Sequence, residues 1–253
     1  MLGTLTAISL ATLAAGAMAA AAPPEPLSVV LVHGAFVDGS GWRAVHDELT
    51  KDGHEVLVVQ NSTETLSGDV AATKRVIDAA RHPVVLVGHS YGGAVITQAG
   101  ADPKVRSLVY VAAFAPDVGE SVETLIAHPP PNTPPVPIVA KDGFLTLDKT
   151  QFPVRFAQDA PIAVTRFMAA SQPHWGHAAL TAKVTAAAWR SKPTYYVVTG
   201  DDLIVPPSAQ RDMAKRASAK ILEIKSSHAV MLSHPEDLAA FIETAGVSPP
   251  PAN

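Results

Sequence analysis

The sequence predicts an α/β fold: a mostly parallel sheet of about six strands, helices on both faces, and a cap insertion. Three observations carry this. Apolar β-type runs alternate with helical stretches over most of the chain, with no internal repeat. The strand-like runs are almost wholly apolar, as strands buried on both faces are. The alternation stops between about Ala115 and Lys192, where six prolines fall within Pro129–Pro137; such a density suits neither a helix interior nor a central strand.

Taken in order, Ser28–Val32 is a buried strand that runs into His33-Gly34-Ala35-Phe36. A helix near Gly41–Lys51, a strand at Val56–Gln60 and a helix near Ser67–Arg81 follow. Val84–Val87 is the next strand, then a helix over Gly92–Ala101 and a strand over Val105–Ala112. Beyond the insertion come a strand at Tyr195–Thr199, a helix at Pro207–Ala217, a strand at Ala219–Ile224 and a helix at Pro235–Thr244. In that last helix Pro235 suits the first turn and Glu236 and Asp237 suit its positive end, while Leu238, Phe241, Ile242 and Ala245 form one apolar face. These elements make one domain over residues 26–247, with the cap insertion at about 115–192 and a disordered tail at 248–253 containing Pro249-Pro250-Pro251.

The chemistry centres on Gly88-His89-Ser90-Tyr91-Gly92, a G-x-S-x-G between a strand and a helix. A serine hydroxyl is a weak nucleophile until a base takes its proton and donors hold the oxyanion it creates. A sharp strand-to-helix turn lifts Ser90 off the sheet and aims the Tyr91 N–H, at a helix N-terminus, toward developing negative charge. Crowding at such a turn requires positions 88 and 92 to be nearly free of side chain. The pentapeptide alone arises by chance with a probability of roughly 0.1 in a chain this long, so its context matters more than its letters.

That context supplies a base and an acid. His228 follows the last strand on Lys225-Ser226-Ser227-His228, which singles it out among ten histidines. The acid falls after the strand Tyr195–Thr199, where Gly200-Asp201-Asp202 offers two candidates, with Asp202 favoured. An acid there can accept the imidazole N–H, fix its tautomer and stabilise the imidazolium. His33 has a structural reading, bonding loop backbone.

Four stretches together resemble a compact α/β-hydrolase of the esterase and hydroxynitrile lyase group: His33-Gly34-Ala35, Gly88 to Gly93, Asp202-Leu203-Ile204-Val205-Pro206-Pro207 and Ser227-His228-Ala229-Val230. The resemblance runs from about Ser28 to Ala245. It implies a Ser90, Asp202, His228 triad and an oxyanion hole made by the N–H groups of Ala35 and Tyr91. Asp202, four residues before Pro206, matches the family's Asp-x-x-x-Pro pattern, and Phe36 walls the pocket. Hydroxynitrile lyases of this group carry a lysine directly after the histidine; here Ala229 stands there, which favours hydrolysis. The implied activity is cleavage of carboxylic esters of small, mainly apolar substrates through an acyl-enzyme, without a cofactor or metal. Hydroxynitrile cleavage, cofactor-free perhydrolysis and ligand binding on a non-catalytic scaffold are the alternatives. From the insertion, Phe167, Met168 and Trp175 are candidates to face Ser90, since a concave apolar site needs such side chains.

Composition narrows the partners. A net charge of −4 without a basic cluster gives nucleic acid or an anionic membrane no electrostatic footing. The absence of cysteine excludes disulfides, thiolate catalysis and Cys-ligated metal. Residues 1–22 read as a secretory signal: Leu2–Ala22 carries no charge, and the apolar stretch Leu5–Ala15 precedes the small-x-small pattern Ala17-Met18-Ala19. It is short and alanine-rich for a membrane span, although the usual basic start of a signal is missing. A secreted or periplasmic protein without stable membrane insertion is the expectation. Three weaker signals have plain readings: Gly39-Ser40-Gly41-Trp42-Arg43-Ala44 is a helix entry rather than a dinucleotide site, His174 and His177 lie on the cap surface, and Asn61-Ser62-Thr63 is a sequon.

Overall fold

The computed structural model describes residues 26–131 and 133–247. The expected leader (1–22) and tail (248–253) lie outside these residues. Nine strands and ten α-helices are seen among the described residues: β1 Ser28–Val32, α1 Arg43–Lys51, β2 Glu55–Val59, α2 Leu66–Ala79, β3 Val84–His89, α3 Gly92–Ala99, β4 Val105–Val111, α4 Val122–Ile126, β5 Ile138–Lys141, β6 Phe144–Leu147, α5 Phe152–Arg155, α6 Ile162–Ser171, β7 Trp175–Gly176, α7 His177–Thr181, β8 Thr194–Thr199, α8 Pro207–Arg216, β9 Lys220–Ile224, α9 Val230–Ser233 and α10 Pro235–Val247. No described helix is long and apolar enough to cross a membrane.

The main sheet has the order β2-β1-β3-β4-β8-β9 and every pairing is parallel. Burial explains the apolar runs. β1, β3 and β8 are buried along their whole length, β4 at all but one position, and the edge strands β2 and β9 are partly exposed. Because the strands are parallel, their carboxyl ends lie along one edge, where ligands of open α/β sheets bind. Ala35, Ser90, Asp202 and His228 follow β1, β3, β8 and β9 respectively, so the fold brings four distant segments to one rim.

Between β4 and β8 the chain forms a second, antiparallel sheet, β5-β6-β7, with α4 to α7. It is tied to the main layer through the backbone after β2: Gly176 N donates to Thr63 O at 2.9 Å and Thr63 Oγ1 to His174 O at 3.0 Å.

The turn after β3 is strained and tight. The strand runs on through Gly88 and His89, two residues past its expected end, and Ser90 adopts a left-handed φ of 53°. A Cβ on Gly88 would sit 2.6 Å from Gly92 O, and one on Gly92 would sit 2.7 Å from Val32 O. Both are backbone atoms that cannot swing aside. Gly88→Ala should therefore destabilise the protein by about 1–3 kcal/mol through overpacking. Gly41→Ala, where a Cβ meets nothing within 4 Å, should stay within about 0.5 kcal/mol; urea midpoints of the two variants check this.

Candidate active site

Asp202 is 4% exposed, and five groups point at its carboxylate. Oδ1 accepts from the N–H of Ile204 at 2.7 Å and of Val205 at 2.9 Å. Oδ2 accepts from Thr199 Oγ1 at 2.9 Å, Gln210 Nε2 at 2.8 Å and His228 Nδ1 at 2.7 Å. A buried carboxylate is tolerable only when its oxygens are satisfied in this way. The bond from Nδ1 fixes the His228 tautomer and leaves Nε2 as the ring's basic nitrogen. That nitrogen is buried and has no partner among the described residues. Asp201, by contrast, is exposed, and its contact to the insertion is through its backbone carbonyl.

His228 itself is fully buried. Two rings hold it: Phe156, edge-on at 4.9 Å, and His89, tilted at 4.6 Å. His89 Nε2 donates to the His228 carbonyl at 2.9 Å, so the residue before Ser90 anchors the loop that bears the base. Desolvation, reinforced by the nearby His228, holds the His89 pKa well below its ordinary value. His89 therefore stays neutral and adds no positive charge beside an imidazolium.

Ser90 is 5% exposed, at the tip of the β3–α3 turn. Its N–H donates to Val111 O at 3.1 Å and its carbonyl accepts from Gly93 and Phe114, so the strained backbone is fixed on both sides. The N–H of Tyr91 opens α3. Ala35 is buried in the loop after β1, and Gly34 allows that loop to pass Ser90: a Cβ there would stand 2.6 Å from Ser90 Cβ. His33 Nδ1 donates to Gly34 O at 2.9 Å and desolvation lowers its pKa, which is the structural role expected of it.

Beneath Tyr91 lies a residue that the sequence did not flag. Asp69, on α2, is fully buried and accepts from Tyr91 Oη at 2.7 Å and from Thr63 N at 3.0 Å. Burial pushes the carboxyl pKa up and, with the Asp69 charge beside it, raises the Tyr91 phenol as well. One signal was available: Asp69 is a lone acid on the stripe Leu66, Val70, Thr73, Ile77 that α2 turns inward. Gln210 and Thr199, which complete the Asp202 cradle, carried no signal, because neither titrates and each becomes adjacent only when β8 and α8 pack.

The expected substrate-facing residues are brought together in part. Trp175 is edge-on to Phe36 at 5.7 Å and tilted against Tyr91 at 5.4 Å. Phe36, Phe167 and Met168 border a small cavity of about 120 Å³, which Trp175 does not line. Phe167 is 71% exposed, so most of its surface meets solvent, a correction to its expected place in an enclosed pocket. It sits on a partly exposed helix whose inward residues are Thr165 and Ala169. A larger cavity of about 620 Å³ was not anticipated; Phe114, Leu125, Val136, Ile204, Val205 and Met213 contribute to its apolar lining. Neither cavity is bordered by Ser90 or His228 themselves, but the larger one touches Phe114, whose N–H bonds the Ser90 carbonyl, and the Ile204-Val205 turn, whose N–H groups bond Asp202. His174 and His177 are exposed, and no group of three or more His, Asp or Glu among the described residues is arranged to hold a metal.

Comparison with known proteins agrees with this geometry. A model of the alpha/beta hydrolase family matches residues 29–241. A carbendazim hydrolyzing esterase of Nocardioides sp. is 41% identical over 118 residues, which cover 40% of this chain and 48% of that protein. Methylesterase 7 of Arabidopsis thaliana is 27% identical over 252 residues, 84% of this chain and 94% of that one. Among solved structures, a pyrethroid hydrolase from Sphingobium faniae JZ-2 superposes with a TM-score of 0.76 at 24% identity, covering 89% of this chain and 99% of that chain; at that identity the likeness shows the fold.

The two aspartates of the β8 turn separate cleanly in this geometry. Asp202→Asn should lower kcat by up to about 10⁴-fold, the scale for a triad acid whose loss misplaces the imidazole proton. Asp201→Asn should leave kcat within about twofold, since a surface change away from such features costs less than about 0.5 kcal/mol. Steady-state kinetics on an activated ester check the pair, and the reverse order would move the acid to Asp201.

Proposed function

The chain belongs to the α/β-hydrolase family, and we propose that it hydrolyses carboxylic esters of small, mainly apolar substrates through a Ser90 acyl-enzyme. The observation that carries this reading is the buried Asp202–His228 pair, bonded at 2.7 Å with the opposite imidazole nitrogen unpartnered, at the same sheet edge as a serine held at φ 53°. His228 Nε2 takes the Ser90 proton as Oγ attacks the acyl carbon. The oxyanion of the tetrahedral intermediate is held by the N–H groups of Ala35 and Tyr91. His228 then returns the proton to the leaving alcohol. Water, deprotonated by the same nitrogen, attacks the acyl carbon and releases the acid. Asp202 holds the imidazole through Nδ1 and stabilises the imidazolium. The names of the two curated relatives, an esterase and a methylesterase, support the same reaction class.

The lining of the larger cavity, which reaches Phe114 and the Ile204-Val205 turn beside the site, supports a small, mainly apolar substrate. The 620 Å³ space is of the size that takes a small organic molecule. Of its charged residues, Arg216 is already paired with Glu120 at 2.9 Å and with the Ala115 carbonyl at 2.7 Å. A carboxylate or phosphate finds no free guanidinium there, so neutral esters bind by apolar burial at ~25 cal/mol per Å². Ala229, buried and without an ammonium, supports hydrolysis over cyanide chemistry.

Three outcomes are expected of the esterase reading. Ser90→Ala should lower ester turnover by at least ~10³-fold, a serine-directed phosphonate should label Ser90, and kcat/KM over a chromogenic ester series should fall for acyl chains beyond roughly ten carbons. Labelling elsewhere with activity retained, or a preference for emulsified long-chain triglycerides, would count against the reading. Export is proposed as well, on the charge-free leader alone: N-terminal sequencing of mature protein from its native host should begin between Ala20 and Pro23, and recovery of intact Met1 from the cytoplasm would overturn it.

A further inference from the structure

The short segment Arg155–Asp159, in the insertion, touches both loops that carry the acid and the base. Arg155 Nη2 donates to Leu203 O at 3.3 Å and to Pro135 O at 3.1 Å. Gln158 Nε2 donates to Asp201 O at 2.7 Å. These bonds hold the β8 turn on either side of Asp202. Asp159 Oδ2 accepts from Ser227 N at 2.8 Å and from Ser226 Oγ at 2.9 Å, the two residues directly before His228. Between them Phe156, fully buried and stacked on Phe152 at 4.7 Å, lays its ring edge-on to the imidazole. Desolvation raises the Asp159 carboxyl, and the hydrogen bonds from Ser227, Ser226 and Ser233 outweigh it, so the group lies below the usual carboxylate range.

β8 and β9 are neighbours in the sheet, but their loops leave it beside an exposed edge. Within the sheet layer one backbone bond, Asp201 N to Ser226 O at 3.0 Å, links the two loops beyond the strand ladder. A small displacement of a reacting group costs rate steeply, up to about 10²-fold for 1 Å. Something must therefore fix the spacing of the acid and base loops, and the insertion supplies it.

We propose that Asp159 is a positioning residue for the reaction proposed above: it holds the Ser226-Ser227 turn from the cap side so that the His228 imidazole stays seated between Asp202 and Phe156, with Gln158 holding the acid's turn in the same way. The insertion is then a fixed part of the catalytic frame at this segment, and substrate enters elsewhere. The bonds from Ser227 N and Ser226 Oγ both fall on Oδ2, so an amide that keeps a carbonyl oxygen there can still accept them.

The test is a comparison of Asp159→Ala, Asp159→Asn and Gln158→Ala with the wild type, using a short-chain chromogenic ester and a serine-directed phosphonate. Asp159→Ala should lower kcat and the rate of Ser90 labelling together, by at least about tenfold, with KM within twofold and the unfolding midpoint unchanged. Asp159→Asn should restore most of both rates, and Gln158→Ala should show a smaller loss in the same direction. Unchanged kcat and labelling in Asp159→Ala would overturn the proposal, as would an Asn variant as impaired as Ala, which would assign the effect to charge alone. If Asp159→Ala does not fold, Ser226→Ala, which removes one of the two donors, must slow labelling, and its failure to do so would overturn the proposal equally. A wild type that neither turns over ester nor labels at Ser90 fails the parent reading and takes this one with it. Normal wild-type behaviour with unaffected variants fails this one alone.

Discussion

Everything at the carboxyl edge of the sheet depends on making a buried carboxylate tolerable. Asp202 sits where water does not reach, and an unpaired charge there would cost several kcal/mol. The protein answers with donors from three directions: backbone N–H groups of the turn after β8, the Thr199 hydroxyl with the Gln210 amide, and the imidazole of His228. Gln210 lies on α8 and is itself fixed, since its Oε1 accepts from Thr199 N at 3.0 Å and its Nε2 donates to Val205 O at 2.8 Å. The first turn of α8, the end of β8 and the loop after β9 thus have one relative position that satisfies the charge. Pro206 and Pro207 set where that helix begins.

The same logic of neutrality and fit runs through the nucleophile side. His89 is neutral because it is dry, and its N–H is spent on the His228 backbone rather than on chemistry. Tyr91 contributes two things from one residue: its main chain opens α3 directly after Ser90, and its phenol is pinned to a buried acid below. The strained Ser90 dihedral persists because its flanking glycines, its own N–H and its carbonyl are all committed. Strain of this kind costs of order 1–3 kcal/mol and survives only when its surroundings over-determine it.

How much of this was legible in the sequence varies with the source of the signal. All six main strands were: the inner four write near-continuous apolar runs because they are buried, and the edge strands β2 and β9 are still mostly apolar; β1 falls on its expected residues and the others lie within two residues at each end. Four of the ten expected helix ends fall on the observed residue and the rest differ by one to three, where helices fray and assignments drift. The antiparallel sheet of the insertion was not legible. Its strands are four, four and two residues long, and β5 is exposed throughout, so no period could develop. Ser90, Asp202 and His228 could be named because each lies just after a readable strand. Asp69 left only the mark of a lone acid on an inward stripe, and Gln210 and the Arg155–Asp159 contacts left none, since they are set by the packing of separate elements 8 to 68 residues apart.

The place of β9 has a consequence for how activity is acquired during synthesis. It is the last strand in the chain and the outermost in the sheet, and it carries the base. A nascent chain that has formed β1 to β4 already carries the Ser90 turn, whereas Asp202 and His228, the bonded pair on which the proposed reaction relies, are still to come. That pair forms only when β9 docks on β8, its neighbour in sequence, after β8 has itself closed on β4 across the whole insertion. On the proposed mechanism the topology therefore acts as a built-in timer: the half-made molecule lacks its acid and its base, and turnover begins when the fold is finished.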